Sequence, residues 1–153
     1  MIPKHHIIAG AIISIIIFLI FQLTPAQTLI IFLSSFLIDI DHYIYYAVKK
    51  KDFNPIKATK WFFEKRKIWI KLTPKERKKY KRVIIIFHGI EFWILLIIFS
   101  LFNRIFLFIF IGVAIHMLLD FIELIHLNEP FYSKLSVIQV IRTNKNKEIL
   151  SSN

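Results

Sequence analysis

The chain has 153 residues, 56% of them hydrophobic, a mean hydropathy of +0.59 and a formal net charge of +11. That apolar content is above ordinary soluble composition and argues against a soluble enzyme or binding domain. The absence of cysteine excludes a disulfide scaffold and thiolate metal sites.

Four apolar runs follow one another along the chain. The first covers about 7–23 and is long for a signal-peptide core. A short turn, Gln22-Leu23-Thr24-Pro25-Ala26-Gln27, leads to the second, about 28–48. The third, about 83–102, is joined to the fourth, about 105–125, by Asn103-Arg104. Each run can cross ~30 Å of hydrocarbon at ~1.5 Å per helical residue. The short links predict two antiparallel hairpins.

Between the hairpins lies a basic loop, 49–82. It holds 15 of the 21 Lys and Arg residues. Asn54-Pro55 predicts a helix start, and the helix would run past Trp61, Phe62 and Phe63 with basic residues around them. That composition suits a helix lying among lipid headgroups. Thr73-Pro74-Lys75-Glu76 is a capping box and predicts a helix continuing through Tyr80 into the third run. Asn128-Glu129-Pro130 ends the fourth run and opens a tail, 127–153. Residues 131–142 are mixed in character, and those after Thr143 read as disordered. The expected fold is therefore an all-α integral membrane bundle of about four transmembrane helices, a single domain with a basic interfacial helical insert.

The basic loop places itself, both termini and the tail on the cytoplasmic side of the cell membrane by the positive-inside rule. Its charge selects anionic lipid headgroups and the bilayer as partners ahead of nucleic acid. A homo-oligomer is compatible with the sequence.

Polar intruders interrupt the apolar runs. They are Asp39, Asp41 and His42, then His88 and Glu91, then His116, Asp120 and Glu123. A charge at a helix centre in lipid costs roughly 2.5–3.5 kcal/mol on insertion scales, so such groups face a partner, a wet cavity or a cation. All fall toward one end of the predicted bundle, roughly 5–15 Å below its surface. His116, Asp120 and Glu123 share one helical stripe, with Gly112 one step along it where a neighbouring helix can approach. His88 and Glu91 are spaced i, i+3, as are Asp39 and His42. Asp39 and Asp41 stand about 200° apart on a regular helix, so either the helix is distorted or one of them only supports the other. The apolar runs carry no Lys or Arg beside these carboxylates, which leaves a metal or a proton to balance them. His and carboxylate ligands suit a divalent metal: zinc first, with manganese or iron compatible. His42, His88, His116, Asp39 and Asp120 are the candidate ligands, and Asp41 or Glu91 the candidate base. His5 and His6 point about 100° apart, so at most one belongs to the site.

Four pieces together resemble a family of membrane-bound metal-dependent hydrolases. They are His5-His6, Phe36-Leu37-Ile38-Asp39-Ile40-Asp41-His42, His88-Gly89, and Gly112-Val113-Ala114-Ile115-His116-Met117-Leu118-Leu119-Asp120. The family is described as LexA-binding, inner-membrane-associated hydrolases and is distantly similar to zinc-dependent phospholipase C. The resemblance spans most of 5–120 outside the basic loop. It implies a metal-site fold and selects His6 as a ligand. Glu91 and Phe92 stand where the family usually carries a second His and hydroxyl residues.

The expected function is metal-dependent hydrolysis of a phosphoester or lipid-linked substrate at the cytoplasmic face. The rivals are a metal carrier or sensor without catalysis, and a scaffold whose basic loop docks anionic lipid.

Overall fold

Prolines open several helices of this chain, because proline lacks the N–H that a first helical turn leaves unbonded. In the structure, a computed structural model that describes residues 3–150, Thr24 and Gln27 form a reciprocal capping box ahead of Pro25. Asn54 accepts the Ile56 and Lys57 N–H groups ahead of Pro55, and Thr73 and Glu76 form a second box around Pro74. The helices are α1 Pro3–Phe21, α2 Pro25–Leu37, α3 Ile40–Lys50, α4 Pro55–Lys71, α5 Pro74–Arg77, α6 Ile90–Ser100, α7 Ile105–His126, α8 Tyr132–Leu135 and α9 Val137–Asn144. The described residues contain no strand, only one isolated parallel bridge between Tyr80 and Glu148.

Three stretches are long and apolar enough to cross a membrane: Lys4–Phe21, the kinked pair α2–α3 over Pro25–Lys50, and Ile105–His126. Their outward side chains remain apolar, with Ile8, Ile12, Leu19, Ile20, Leu118 and Ile122 all exposed. Helices oily on the outside as well as the inside belong in lipid.

The third expected span differs. It is helical only over the 11 residues of α6, about 16 Å of rise, short of ~30 Å of hydrocarbon. The helix expected to run from Pro74 through Tyr80 stops at Arg77, and the chain stays non-helical to Gly89. Tertiary partners claim the backbone there. Phe87 N–H donates to Asp41, and both Arg82 backbone groups bond the Asn144 side-chain amide. Glu148 pairs with Lys79 and Lys81 through main-chain bonds. These contacts also order residues 144–150, which the sequence suggested were disordered. Residues 1, 2 and 151–153 lie outside the described residues.

α2 packs on both α1 and α7. A Cβ at Gly112 would collide with the Ile31 carbonyl and stand 2.7 Å from Ser34 Cβ. Glycine there allows the two backbones to touch, as its place on the α7 stripe suggested. Ile38, Leu96, Val113 and Met117 form the core of the bundle. α4 is fixed twice. Tyr46, Ala58 and Trp61 pack it on α3. At its other end, buried Arg77 donates to the Trp69, Ile70 and Leu127 carbonyls and pairs with Glu129. Arg82 and the Trp69 indole complete the partners of Glu129. Buried charges persist when paired and hydrogen-bonded in this way.

Candidate metal centre

The site begins with a fault in a helix. Between α2 and α3, Asp39 N–H bonds the Phe36 carbonyl, Asp41 N–H bonds Ile38 and His42 N–H bonds Asp39. These are i, i+3 bonds, tighter than α-helical ones. The tightened turn resolves the 200° conflict, since both Asp39 and Asp41 now reach His42 and His88. It also releases the Ser35 carbonyl, which a regular helix would have bonded to Asp39. His116 on α7 takes that carbonyl, with its Nδ1 2.9 Å away.

Two histidine tautomers follow. A carbonyl only accepts, so His116 carries its proton on Nδ1. An ionised carboxylate only accepts, so His88, whose Nδ1 lies 3.0 Å from Asp41 Oδ2, does the same. Both Nε2 atoms then present lone pairs, and they face each other at 3.1 Å in a fully buried place. Two acceptors at that distance need a proton or a metal ion between them.

The neighbouring carboxylates complete a cage. Asp39 Oδ1 lies 3.6 Å from each of the two Nε2 atoms. Asp120 Oδ2 lies 3.6 Å from His88 Nε2 and 3.5 Å from His116 Nε2. Metal bonds of ~2.0–2.1 Å in a tetrahedron separate the ligand atoms by roughly 3.3 Å. Five of the six edges among these four atoms are thus close to that length. Three overlapping groups have ligand atoms mutually near enough to hold an ion: His88, His116 and Asp120; His6, Asp39 and His116; and Asp39, His42 and His88.

The remaining expected residues divide. His6 is buried and His5 exposed. The His6 ring stacks on His116 with centroids 3.8 Å apart, its Nε2 is 3.6 Å from Asp120 Oδ1, and neither nitrogen is hydrogen-bonded among the described residues. Asp41 is buried and accepts from His88, His42 and the Phe87 N–H, which fixes both imidazole rings. Glu91 is not brought to the cluster. Its carboxylate accepts from Ser136 Oγ and from the Val137 and Ile138 N–H groups, capping α9. His126 is exposed at the end of α7.

The carboxylates also have fixed cations, from outside the apolar runs. Lys134 of α8 reaches Asp120 Oδ1 at 2.6 Å and Glu123 Oε2 at 3.5 Å, and Arg66 of α4 pairs with Glu123. Burial works against the Lys134 ammonium, but Asp120 and Glu123 outweigh it and hold its pKa above the ordinary lysine value. Nothing in the local sequence around Ser133-Lys134 marked this role. The one available signal was Glu123, a carboxylate on a buried stripe that required a counter-charge.

A cavity of about 450 Å³ opens beside the cluster, with Asp39 and His42 in its wall. Set beside known proteins, the chain matches no family model, no curated protein and no solved structure. Its own residues establish an all-helical protein with three candidate membrane spans and buried His and Asp groups able to hold a metal ion.

Proposed function

We propose that this protein is an integral membrane metal-dependent hydrolase acting on a phosphoester or lipid-linked substrate at the cytoplasmic face of the cell membrane. The observation that carries this reading is the pair of facing Nε2 atoms, with a carboxylate oxygen of Asp39 and one of Asp120 each 3.5–3.6 Å from both. A donor set of imidazole nitrogens and carboxylate oxygens favours zinc over ions that prefer six oxygens. His88, His116 and Asp120 would hold the ion, and Asp39, a quarter exposed, lines the cavity beside them. When bound, such an ion supplies Lewis acidity and lowers the pKa of a bound water toward ~7.

His42 moves the proton. Its Nδ1 is held by Asp41 and Asp39, which leaves Nε2 for exchange, and the ring lines the cavity. A carboxylate that fixes a histidine through Nδ1 is a common way to prepare a base. α6 serves as a fourth, half-length apolar leg. The cationic insert sets the orientation and draws anionic substrate to the site. The likeness of the four sequence pieces to metal-dependent hydrolases supports the same reading.

Elemental analysis of detergent-purified protein tests the site, beside turnover assays with phosphomonoester and phosphodiester substrates. The expected result is about one zinc per chain, lost in His116→Ala, and no turnover in a folded Asp120→Asn protein. Unchanged turnover in Asp120→Asn would overturn the assignment. So would failure to retain zinc, manganese or iron after reconstitution.

A further inference from the structure

The cavity beside the cluster has two unlike kinds of wall. Phe62, Phe63 and Ile70 of α4 face it together with Ile85, Leu124 and Leu127, so much of the lining is apolar. Five cations line it as well, Lys65, Arg66, Lys81, Arg82 and Lys134, against three carboxylates, Asp39, Glu123 and Glu129. Its volume, about 450 Å³, falls within the ~300–1,000 Å³ of small-molecule sites.

The cations are not equivalent. Arg66 and Lys134 are paired with Glu123, and Arg82 with Glu129. Neither Lys81 nor Lys65 has a carboxylate within ion-pair distance among the described residues, but Lys81 is exposed and Lys65 partly buried. The Lys65 Nζ donates to the Leu150 carbonyl at 3.0 Å and sits 4.5 Å from the Trp61 ring centroid. Burial, with Lys49 and Lys50 nearby, lowers its pKa to about 8. A partly desolvated ammonium with only a neutral acceptor gains from any anion that replaces that acceptor.

We propose that this cavity binds an anionic amphiphile, its phosphate-bearing head taken by Lys65 in place of the Leu150 carbonyl and its apolar tail laid along Phe62, Phe63, Ile70 and Leu124. The anion answers the excess of cations in the lining, and the tail answers the apolar wall that a free phosphate would leave empty. A diphosphate or phosphomonoester on a single chain has both parts. The proposal rests on the hydrolase reading for identifying this occupant as substrate, since Asp39 and His42 share the cavity. Binding itself needs only the cavity.

The test is equilibrium binding to the full chain in maltoside micelles, read by quenching of tryptophan fluorescence, because Trp69 lines the cavity. The probes are tail-brominated lysophosphatidic acid and lysophosphatidylcholine with the same tail. Saturable quenching is expected from the phosphate lipid. It should be weaker by about tenfold or more with the zwitterionic lipid and in Lys65→Gln, and restored in Lys65→Arg. Millimolar inorganic phosphate should fail to displace the lipid. Equal quenching by both lipids in the wild type, which requires no variant to fold, would overturn the proposal. So would a Lys65→Gln protein that binds as well as the wild type, or full displacement by inorganic phosphate. The same titration in His116→Ala separates the two readings. Selective binding there, with no turnover in the wild type, removes the hydrolase and keeps the site. Turnover of a soluble phosphodiester without selective lipid binding does the reverse.

Discussion

The first seven residues of α7, Ile105–Ile111, contribute no buried residue, whereas Gly112–His126 contributes seven. Both halves are apolar enough to belong to one membrane span. The difference lies in what they touch. Before Gly112 the helix presents Ile105 and Leu107 outward, with nothing polar to organise. From Gly112 onward it lies against α2 closely enough for His116 to reach the Ser35 carbonyl. Where both solvent and core are oily, burial of apolar surface gives no preference between neighbours, so close backbone approach and polar contacts decide the packing.

Three substitutions and one control probe this contrast. Gly112→Leu should have the largest effect. A side chain there meets the Ile31 backbone, so a loss of about 3 kcal/mol or more is expected in reversible unfolding in detergent, with loss of metal. Leu107→Ala at the exposed half is the paired control and should stay within about 0.5 kcal/mol. Next comes Asp41→Asn, which leaves the caging atoms in place but weakens the hold on His88 and His42. Zinc affinity should fall about 10–100-fold by competition with a chelator, while the fold persists. Glu91→Gln should be the mildest of the three. It weakens the α9 cap, costing about 0.5–2 kcal/mol, and should leave zinc content unchanged. Loss of zinc in Glu91→Gln would return that residue to the site.

Much of the site was legible in the sequence because carboxylates and histidines in apolar runs have so few explanations. The i, i+4 pair His116–Asp120 needs only helical spacing to share a face. The caps at Asn54 and Thr73 were equally plain, since each depends on neighbours within three residues. Local pattern failed at 78–89. Val83-Ile84-Ile85-Ile86 reads readily as helix, and Asp41, Asn144 and Glu148, distant in sequence, hold the segment otherwise. The same reason hid Lys134 and the Arg77–Glu129–Arg82 group: charges in a basic loop and a polar tail look solvated until the fold buries them. The choice between His5 and His6 rested on a resemblance, and burial supplies the physical distinction.

The tail contacts also imply an order of assembly. During synthesis from the N-terminus, α1, α2 and α3 are made first, and they already contain His6, Asp39, Asp41 and His42. Asp120 then emerges before its lysine partner, Lys134, and Arg82 waits for Asn144 to satisfy its backbone. The cluster is therefore complete in sequence well before it is complete in structure. Until residues 129–148 dock, Asp120 lacks its contact with Lys134 and the segment carrying His88 lacks its fastening. A nascent chain that stalls in that interval would hold the His and Asp residues of the cluster without the tail contacts that fix them.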